Sequence, residues 1–356
     1  MRVVFLPFWT ASNPYQLELA RALEVLGAHV EGAPERTLFF ADILRRRADV
    51  LHLHWLSPLH RGPRGPGGAR RWLQVAAVAV QLALLRAAGV RIVWTAHNLA
   101  GHEARDPGVE RLCAALVARL AHRVIVHGSH AREILVRELR LRSPAKLAVV
   151  PHGSYLGVYP EGAERKAARE HLGLEGTDFV FLFLGQLRPY KGLLELVRAF
   201  RKQADPRARL LIAGLASSAA VERELRAASA GESRILLRPG YVPDAELQVY
   251  FAAADVAVLP YEDVLTSGSL LLAMSFGVAC LGPRLGCMED YLEGEGGFLY
   301  DPRAPDALES ALGEALGRAG AVHAMGAFNR RKVAAFTWPR VAGDTLDAYS
   351  APPRPS

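Results

Sequence analysis

Short apolar runs alternate with segments of helix length along this chain, and the alternation occurs twice. In the first half the runs are RVVFLPF, VLHLHW, RIVWTAHN, RVIVHG and LAVVPHG, and in the second half they are FVFLFLG, ARLLIAG, RILLRPG, VAVLPY, VACLG and GFLYD. Parallel strands need long crossover connections, so β-rich runs separated by helical segments are typical of a parallel sheet covered by helices on both faces. The pattern restarts after a polar stretch at 161–169. The sequence therefore predicts an α/β chain with two doubly wound, Rossmann-like domains.

The length of the chain supports this division. Single hydrophobic cores stop growing at about 250–300 residues, and this chain has 356 residues, of which 51% are hydrophobic. We place the first domain at 1–158 and the second at 159–335. Residues 336–356 are expected to form a C-terminal helix, which could pack back on the first domain, and a disordered tail.

Cysteine usage and net charge indicate the redox compartment of the protein and the kinds of partner it can bind. Cys113, Cys280 and Cys287 form no CxxC pair, so we expect neither a disulfide framework nor a zinc site, and a reducing compartment. The net charge of +7 favours anionic partners such as lipid headgroups and phosphorylated small molecules. Nucleic acid is not expected as a partner, because the arginines lack interleaved aromatic residues and no nucleic-acid-binding motif occurs.

The longest apolar stretch runs from Trp72 to Leu85. It contains Gln74 and Gln81 and falls short of the ~20 residues that a membrane-spanning helix needs. No signal sequence precedes the first strand-like run, so we expect a cytoplasmic protein. The arginines before the stretch are Arg61, Arg64, Arg70 and Arg71. Such a pattern suits either a helix that contacts anionic lipid or an ordinary core helix with a basic entry.

The segment LGQLRPYKG at 184–192 presents two cations directly after a buried strand. Arg188 and Lys191 are held between Pro189 and Gly192, residues that fix the shape of a turn. Open α/β sheets bind ligands at the C-terminal ends of their strands. Arginine can fork across two phosphate oxygens while lysine acts as a point charge, so the pair suits a diphosphate. A solvated turn is the alternative interpretation.

A second anion site is predicted in the segment VAVLPYEDVLTSGSLLLAMSFG, which leads from a strand into a short apolar helix. Ser267, Gly268 and Ser269 lie at the helix entrance, where free amides and the positive end of the helix dipole favour anions. The alternative is that a serine there only caps the helix. If this loop and the RPYKG loop lie at the same edge of one sheet, together they form a phosphate site.

These motifs resemble the donor half of nucleotide-sugar glycosyltransferases of the GT-B fold, the family-4 type and its relatives. The resemblance is carried by RPYKG, by LPY followed by SGSLLLAMSFG, and by GCMEDYLEGEGGFLYDP, which is similar to the family's GG-x-PE ending. It implies two Rossmann-like domains facing a central cleft, an Arg and a Lys that neutralise the leaving nucleoside diphosphate, and no metal. Consistent with this, the sequence contains no Asp-x-Asp pair.

The family pattern is broken at one place. Family-4 enzymes carry two glutamates eight positions apart around this helix, and those positions are Val264 and Leu272 here. Neither side chain can hydrogen-bond a hydroxyl, which puts the retaining stereochemistry of that family in doubt. The nearby carboxylates that could substitute are Glu262, Asp263, Glu289 and Asp290. We assign Glu289 and Asp290, together with His152, to the donor sugar or nucleotide.

The first half adds a more specific resemblance. NPY at 13–15, HLHW at 52–55, TAHNLAGHE at 95–103 and HGSY at 152–155 are similar, in that order, to motifs of the β-mannosyltransferases that add mannose to lipid-linked exopolysaccharide repeat units, as in the xanthan pathway. Gly101 replaces a proline of that pattern. The resemblance implies GDP-mannose as donor, a lipid-linked glycan as acceptor, and a peripheral position on the inner face of the cell membrane.

An inverting transfer requires a base that accepts the proton of the acceptor hydroxyl. Within TAHNLAGHE our first choice is Glu103 and our second is His97. The alternative is that these groups cap the following helix or bond the loop backbone. The residues predicted on the acceptor side are Asn13, Tyr15, His54, Asn98 and His102. Asn13 stands before Pro14 and also fits a helix N-cap.

Three other functions stay open. A retaining family-4 transferase would form an α-linkage from the same donor. A sugar-nucleotide epimerase of the GT-B fold would convert the donor without an acceptor. A non-catalytic protein would bind a sugar nucleotide without transfer or hydrolysis.

Overall fold

The computed structural model describes residues 1–10, 14–60, 69–99, 106–141, 143–292 and 294–351. The strands are β1 (Arg2–Leu6), β2 (His29–Gly32), β3 (Val50–Leu53), β4 (Arg91–Thr95), β5 (Arg123–Val126), β6 (Leu147–Val149), β7 (Phe179–Leu184), β8 (Ala208–Gly214), β9 (Ile235–Pro239), β10 (Val256–Val258), β11 (Ala279–Pro283) and β12 (Gly297–Tyr300). The helices are α1 (Pro14–Val25), α2 (Phe40–Arg45), α3 (Ser57–His60), α4 (Ala69–Ala87), α5 (Pro107–Leu120), α6 (Ser129–Glu138), α7 (Arg165–Leu172), α8 (Leu193–Arg201), α9 (Ala219–Ser229), α10 (Leu247–Ala253), α11 (Gly268–Ser275), α12 (Cys287–Leu292), α13 (Ala307–Gly317), α14 (Val322–Val333) and α15 (Trp338–Ser350).

The chain divides into two compact units. The first consists of Met1–Gly153 and Phe336–Ser356, and the second of Ser154–Ala335. Among the described residues, no helix combines the length and apolarity needed to cross a bilayer.

The first unit contains a parallel sheet with the strand order β2-β1-β3-β4-β5-β6 over the residues described. This order reverses direction between β1 and β3, where doubly wound sheets place their ligand crevice. The register pairs Val3 with Val50 and Leu6 with Leu53, so β1 and β3 end together. Residues that follow these two strands therefore lie at the switch point.

The C-terminal helix α15 belongs to the core of the first unit. Trp338, Val341 and Tyr349 are buried in one apolar cluster with Tyr15 and Leu19 of α1. Trp338 packs so closely that a side chain on Gly153 would clash with its indole, since a Cβ there would lie 2.7 Å from the ring. A segment far away in sequence thus completes this core.

The second unit contains a parallel sheet with the order β12-β11-β10-β7-β8-β9 in the described ranges. Counted from β7, this is the Rossmann order 3-2-1-4-5-6, with its switch point between β7 and β10. Every residue of β7 is buried, as the continuous run FVFLFL predicts for a strand covered on both faces. The prediction of an α/β chain with two doubly wound sheets is confirmed.

Candidate functional site

The loops that follow β7 and β10 are joined at the switch point of the second unit. Arg188 precedes a single 3₁₀ turn, Pro189–Lys191, and Gly192 then adopts a φ of +68°. A Cβ on Gly192 would lie 1.9 Å from the carbonyl oxygen of Pro260, so only glycine allows this approach. The backbone N–H of Glu262 also donates to the carbonyl of Tyr190 at 3.1 Å. The RPYKG loop is therefore fixed against the segment after β10.

Lys191 is held among aromatic rings. Its Nζ lies 3.8 Å from the ring centroid of Tyr261 and 5.2 Å from that of Tyr190. Burial disfavours the charged ammonium, but the two tyrosine hydroxyls outweigh this effect and raise the pKa of Lys191 above its ordinary value. Lys191 is thus a half-buried, fixed cation. Beside it, the half-buried Arg188 donates from Nε to Oε1 of Gln186 at 2.8 Å.

The N-terminus of α11 lies at the same edge of the sheet. The Ser267 hydroxyl accepts from the amide of Leu270 at 3.1 Å and donates to the Tyr261 hydroxyl at 3.3 Å. Ser267 is therefore a helix N-cap, while Gly268 and Ser269 supply the first amides of the helix. Tyr261 contacts both Lys191 and the cap of α11, so it links the two parts of the predicted anion site.

The loop between β11 and α12 closes on the same region. Gly286 has a φ of +51°, and a Cβ there would lie 2.1 Å from the carbonyl oxygen of Val264. The amide of Cys287 donates to the carbonyl of Leu265 at 3.1 Å. Glu289 and Asp290, both half-buried, occupy the first turn of α12 directly after this junction.

The positions at which family-4 enzymes carry glutamates are apolar and sheltered. Val264 is buried, and Leu272 is half-buried on α11. Both positions belong to the segment that forms the second anion site, one just before its helix and one within it.

The switch point of the first unit is surrounded by histidines that pack around Tyr15. The ring of Tyr15 lies 5.0 Å from that of His97, 5.5 Å from that of His127 and 4.7 Å from that of His152, measured between centroids. Trp338 contacts Tyr15 from α15 at 5.6 Å. These side chains come from five separate segments, which the parallel sheet brings to one edge.

Hydrogen bonds order this cluster. His52 connects the Tyr349 hydroxyl, 2.6 Å from Nδ1, with the Thr95 hydroxyl, 2.7 Å from Nε2. Nδ1 of His54 lies 3.2 Å from Nε2 of His97. These contacts fix His52 and His54 within the buried part of the unit.

Stacked rings extend the cluster beyond its buried part. The half-buried ring of Trp55 stacks on that of His97 at 4.3 Å, and Trp9 stacks on Trp55 at 4.8 Å. Asn98, also half-buried, follows His97 directly.

The histidines of the cluster are neutral at pH 7. Burial lowers the pKa of His52 and of His152 to about 3 and that of His127 to about 4. Burial and neighbouring histidines also hold the pKa values of His54 and His97 well below the usual range. Neutral imidazoles can donate and accept hydrogen bonds, and they are weak bases when their pKa is this low.

The predicted site residues are divided between the two units. The second unit contains Arg188, Lys191, Ser267, Gly268, Ser269, Glu289 and Asp290. The first unit contains Tyr15, His54, His97, Asn98 and His152. His152, which we predicted on the donor side, is thus part of the histidine cluster. Asn13, His102 and Glu103 lie outside the described residues.

Sequence reasoning missed Tyr261, Trp338 and Tyr349. The LPY motif contains Tyr261 but gives no sign that its ring would contact Lys191. Nothing in the sequence connects Tyr349 with His52, since 297 positions separate them. In the described part of the chain, no group of His, Cys, Asp and Glu residues has the arrangement of a metal site.

Comparison with known proteins agrees with the resemblance. Residues 178–318 match the family model described as glycosyl transferases group 1. The chain is 30% identical over 272 residues to a GDP-mannose:glycolipid 4-beta-D-mannosyltransferase of Xanthomonas campestris pv. campestris, which covers 76% of this chain and 70% of that protein.

Solved structures share the fold. Sucrose-phosphate synthase from Thermosynechococcus elongatus superposes with a TM-score of 0.76 at 19% identity, covering 98% of both chains. HepE of Anabaena, solved in complex with UDP and glucose, gives 0.74 at 16% identity, covering 98% of this chain and 99% of that one. The fold is the GT-B type that the resemblance implies, and the chain belongs to the group 1 glycosyl transferases.

Proposed function

We propose that this glycosyltransferase transfers mannose from GDP-mannose to a lipid-linked glycan, with inversion and without a metal, in polysaccharide synthesis. One observation carries the proposal: Tyr261 links the cation Lys191 to the capped N-terminus of α11, at a sheet switch point next to Arg188. Fixed cations and helix amides at one crevice suit a diphosphate leaving group. The name of the Xanthomonas relative supports the choice of sugar, nucleotide and acceptor.

In this proposal the second unit binds the nucleotide sugar. Arg188 and Lys191 neutralise the diphosphate as the bond to the sugar breaks, and the amides of Gly268 and Ser269 add hydrogen bonds. Two fixed cations can supply this charge without a metal, which supports a metal-independent transfer. Glu289 and Asp290 would hydrogen-bond the sugar or the nucleoside. They would take over the role of the family-4 glutamates, whose positions are occupied here by Val264 and Leu272.

The first unit would bind the acceptor. Glu103 is our first choice for the base, since the lowered pKa of His97 makes its imidazole a weak proton acceptor. His97 and Asn98 would then donate and accept hydrogen bonds with sugar hydroxyls beside the Trp9–Trp55 stack. Because the acceptor is lipid-linked, we also propose a peripheral position on the inner face of the cell membrane.

A thermal-shift panel tests the donor site. GDP, UDP, ADP and their sugars are added, with and without EDTA, to wild type and to Arg188→Ala/Lys191→Ala. A ligand that binds only the folded state increases the free energy of unfolding by about RT ln(1 + [L]/Kd) and so raises the melting temperature. We expect that only GDP and GDP-mannose raise the melting temperature, that EDTA does not change this shift, and that the double variant loses it. Arg198→Ala, which removes an exposed cation of α8, is the matched control.

Product analysis tests the chemistry. With GDP-mannose and a lipid-linked oligosaccharide acceptor, NMR of the product should show a β-mannosyl linkage. An α-linkage would replace the inverting assignment with the retaining alternative, and an epimerised donor without any acceptor would indicate an isomerase. If no nucleotide in the panel shifted the melting temperature, the donor site itself would be contradicted.

A further inference from the structure

Helix α4 is apolar on two faces. One face packs into the first unit through its fully buried side chains, which are Val75, Val78, Leu82 and Leu85. The other face is open, and its large apolar side chains are between 50% and 70% exposed: Trp72, Leu73, Val80 and Leu84. A surface helix normally carries polar residues on its outer side, so this face needs a partner.

The exposed residues form one continuous stripe. Ala76 and Ala83, both exposed, fill the intervals at helical spacing between the large side chains. The helix has 19 residues and is therefore about 28 Å long. Next to it, Gln81 holds the segment before α2 by accepting from the amides of Phe39 and Phe40 and donating to the carbonyl of Thr37. This segment adds Leu38, which is 70% exposed.

The surroundings of the stripe are basic. Helix α4 contains no aspartate or glutamate, and exposed arginines lie near its two ends, at Arg70 and Arg86. Exposed arginines also lie at the end of α2, at Arg45, which is paired with Asp42 at 2.8 Å, and just after it, at Arg47. An apolar stripe with arginines at its border is complementary to a layer that is apolar inside and negatively charged at its surface.

A second copy of this chain fits the stripe less well. A two-fold axis would bring Arg70 of one α4 towards Arg86 of the other, and the helix offers no carboxylate to compensate. We propose that this face of α4 docks the protein on an anionic lipid bilayer, with the helix lying in the interface. The inference rests on the proposed function, because it is the lipid-linked acceptor that brings this enzyme to a membrane.

Co-sedimentation of the full-length protein with vesicles tests the proposal. We compare vesicles of phosphatidylcholine alone with vesicles that contain one third phosphatidylglycerol. We expect binding to the anionic vesicles, weakened when salt rises from about 0.1 to 0.5 M. Leu73→Glu/Val80→Glu should reduce the partition coefficient at least about tenfold, and Arg70→Gln roughly fivefold. Val25→Glu, at an exposed apolar position of α1, is the matched control and should bind as wild type does.

All of these substitutions are at exposed positions, and far-UV circular dichroism should be unchanged. Equal vesicle binding by wild type and Leu73→Glu/Val80→Glu would overturn the proposal. The proposal would also be overturned if the wild-type protein did not bind vesicles but formed a dimer that Leu73→Glu/Val80→Glu dissociates, because a second copy would then cover the stripe. The thermal shift with nucleotides is measured without lipid. A wild-type protein that shows the nucleotide shift but does not bind anionic vesicles therefore refutes the docking face alone, and a wild-type protein that binds the vesicles but shows no nucleotide shift refutes the donor site alone.

Discussion

The first unit should lose stability steeply in weak acid. His52, His127 and His152 are buried and neutral in the folded chain, with pKa values lowered to about 3, 4 and 3. The unfolded chain binds these protons near pH 6.5, so folding stability falls as the pH drops from 6.5 towards the folded pKa values. At pH 5 each histidine costs about 2 kcal/mol relative to pH 7. The three together cost about 6 kcal/mol, which is a large part of the 5–15 kcal/mol typical of a domain.

Tryptophan fluorescence can follow this unit separately. All five tryptophans of the sequence belong to the first unit, and they are Trp9, Trp55, Trp72, Trp94 and Trp338. We expect the denaturant midpoint detected by tryptophan to fall sharply between pH 6.5 and 5, with a stability slope of at least about 4 kcal/mol per pH unit, because His54 and His97 add to the contribution of the three. The buried histidines of the cluster all belong to the first unit, so the circular dichroism that remains after the tryptophan transition should depend much less on pH.

A variant separates proton linkage from simple destabilisation. His52→Gln removes one buried titrating group, and the pH slope should decrease by about 1.4 kcal/mol per pH unit whatever the variant does to stability at pH 7. A tryptophan transition that stays at the same denaturant concentration from pH 7 to pH 5 would refute the reasoning, because the histidines would then be charged or accessible in the folded state.

Two further positions test how the proposed donor site is built. Gly192→Ala should weaken GDP binding at least about tenfold, because its Cβ would collide with the Pro260 carbonyl and the left-handed backbone would strain the alanine by roughly 1–2 kcal/mol. Isothermal titration measures the affinities, with Gly176→Ala as the control because a Cβ at Gly176 meets open space. Equal affinities of Gly192→Ala and wild type would contradict a fixed loop. Tyr261→Phe keeps the ring over Lys191 but removes the hydroxyl that bonds Ser267, so it should weaken GDP binding about threefold, whereas Tyr261→Leu also removes the ring and should weaken binding at least about tenfold. Equal binding by the two variants would show that the ring does not position the lysine.

Much of the fold could be predicted because its strands are buried on both faces. Runs such as FVFLFL at β7 are continuous and apolar, and periodicity finds them readily. The strand β2 was not predicted, since only Val30 of its four residues is buried and the strand lies at the edge of its sheet. A short edge strand with a solvated face has little apolar signal of its own.

The site was predictable only where local sequence determines local structure. The cations of RPYKG and the cap Ser267 follow from a turn and a helix entrance, which short segments encode. The cluster around Tyr15 depends on which strands are neighbours, and no short segment determines that. His127 and His152 are visible in the sequence as strand-end histidines, but only the order β4-β5-β6 places them side by side.

The position of α15 has a consequence for how the chain is made. Helix α1 leaves the ribosome before the whole second unit, and the helix that covers it leaves after that unit. The second unit, encoded between them, can complete its own sheet while the first still lacks Trp338 and Tyr349. During synthesis the apolar surface that α15 later covers therefore stays exposed on the first unit. Nascent chains with exposed apolar surface depend on chaperones. A nascent chain stopped before α15 would leave a finished second unit attached to an unfinished first unit.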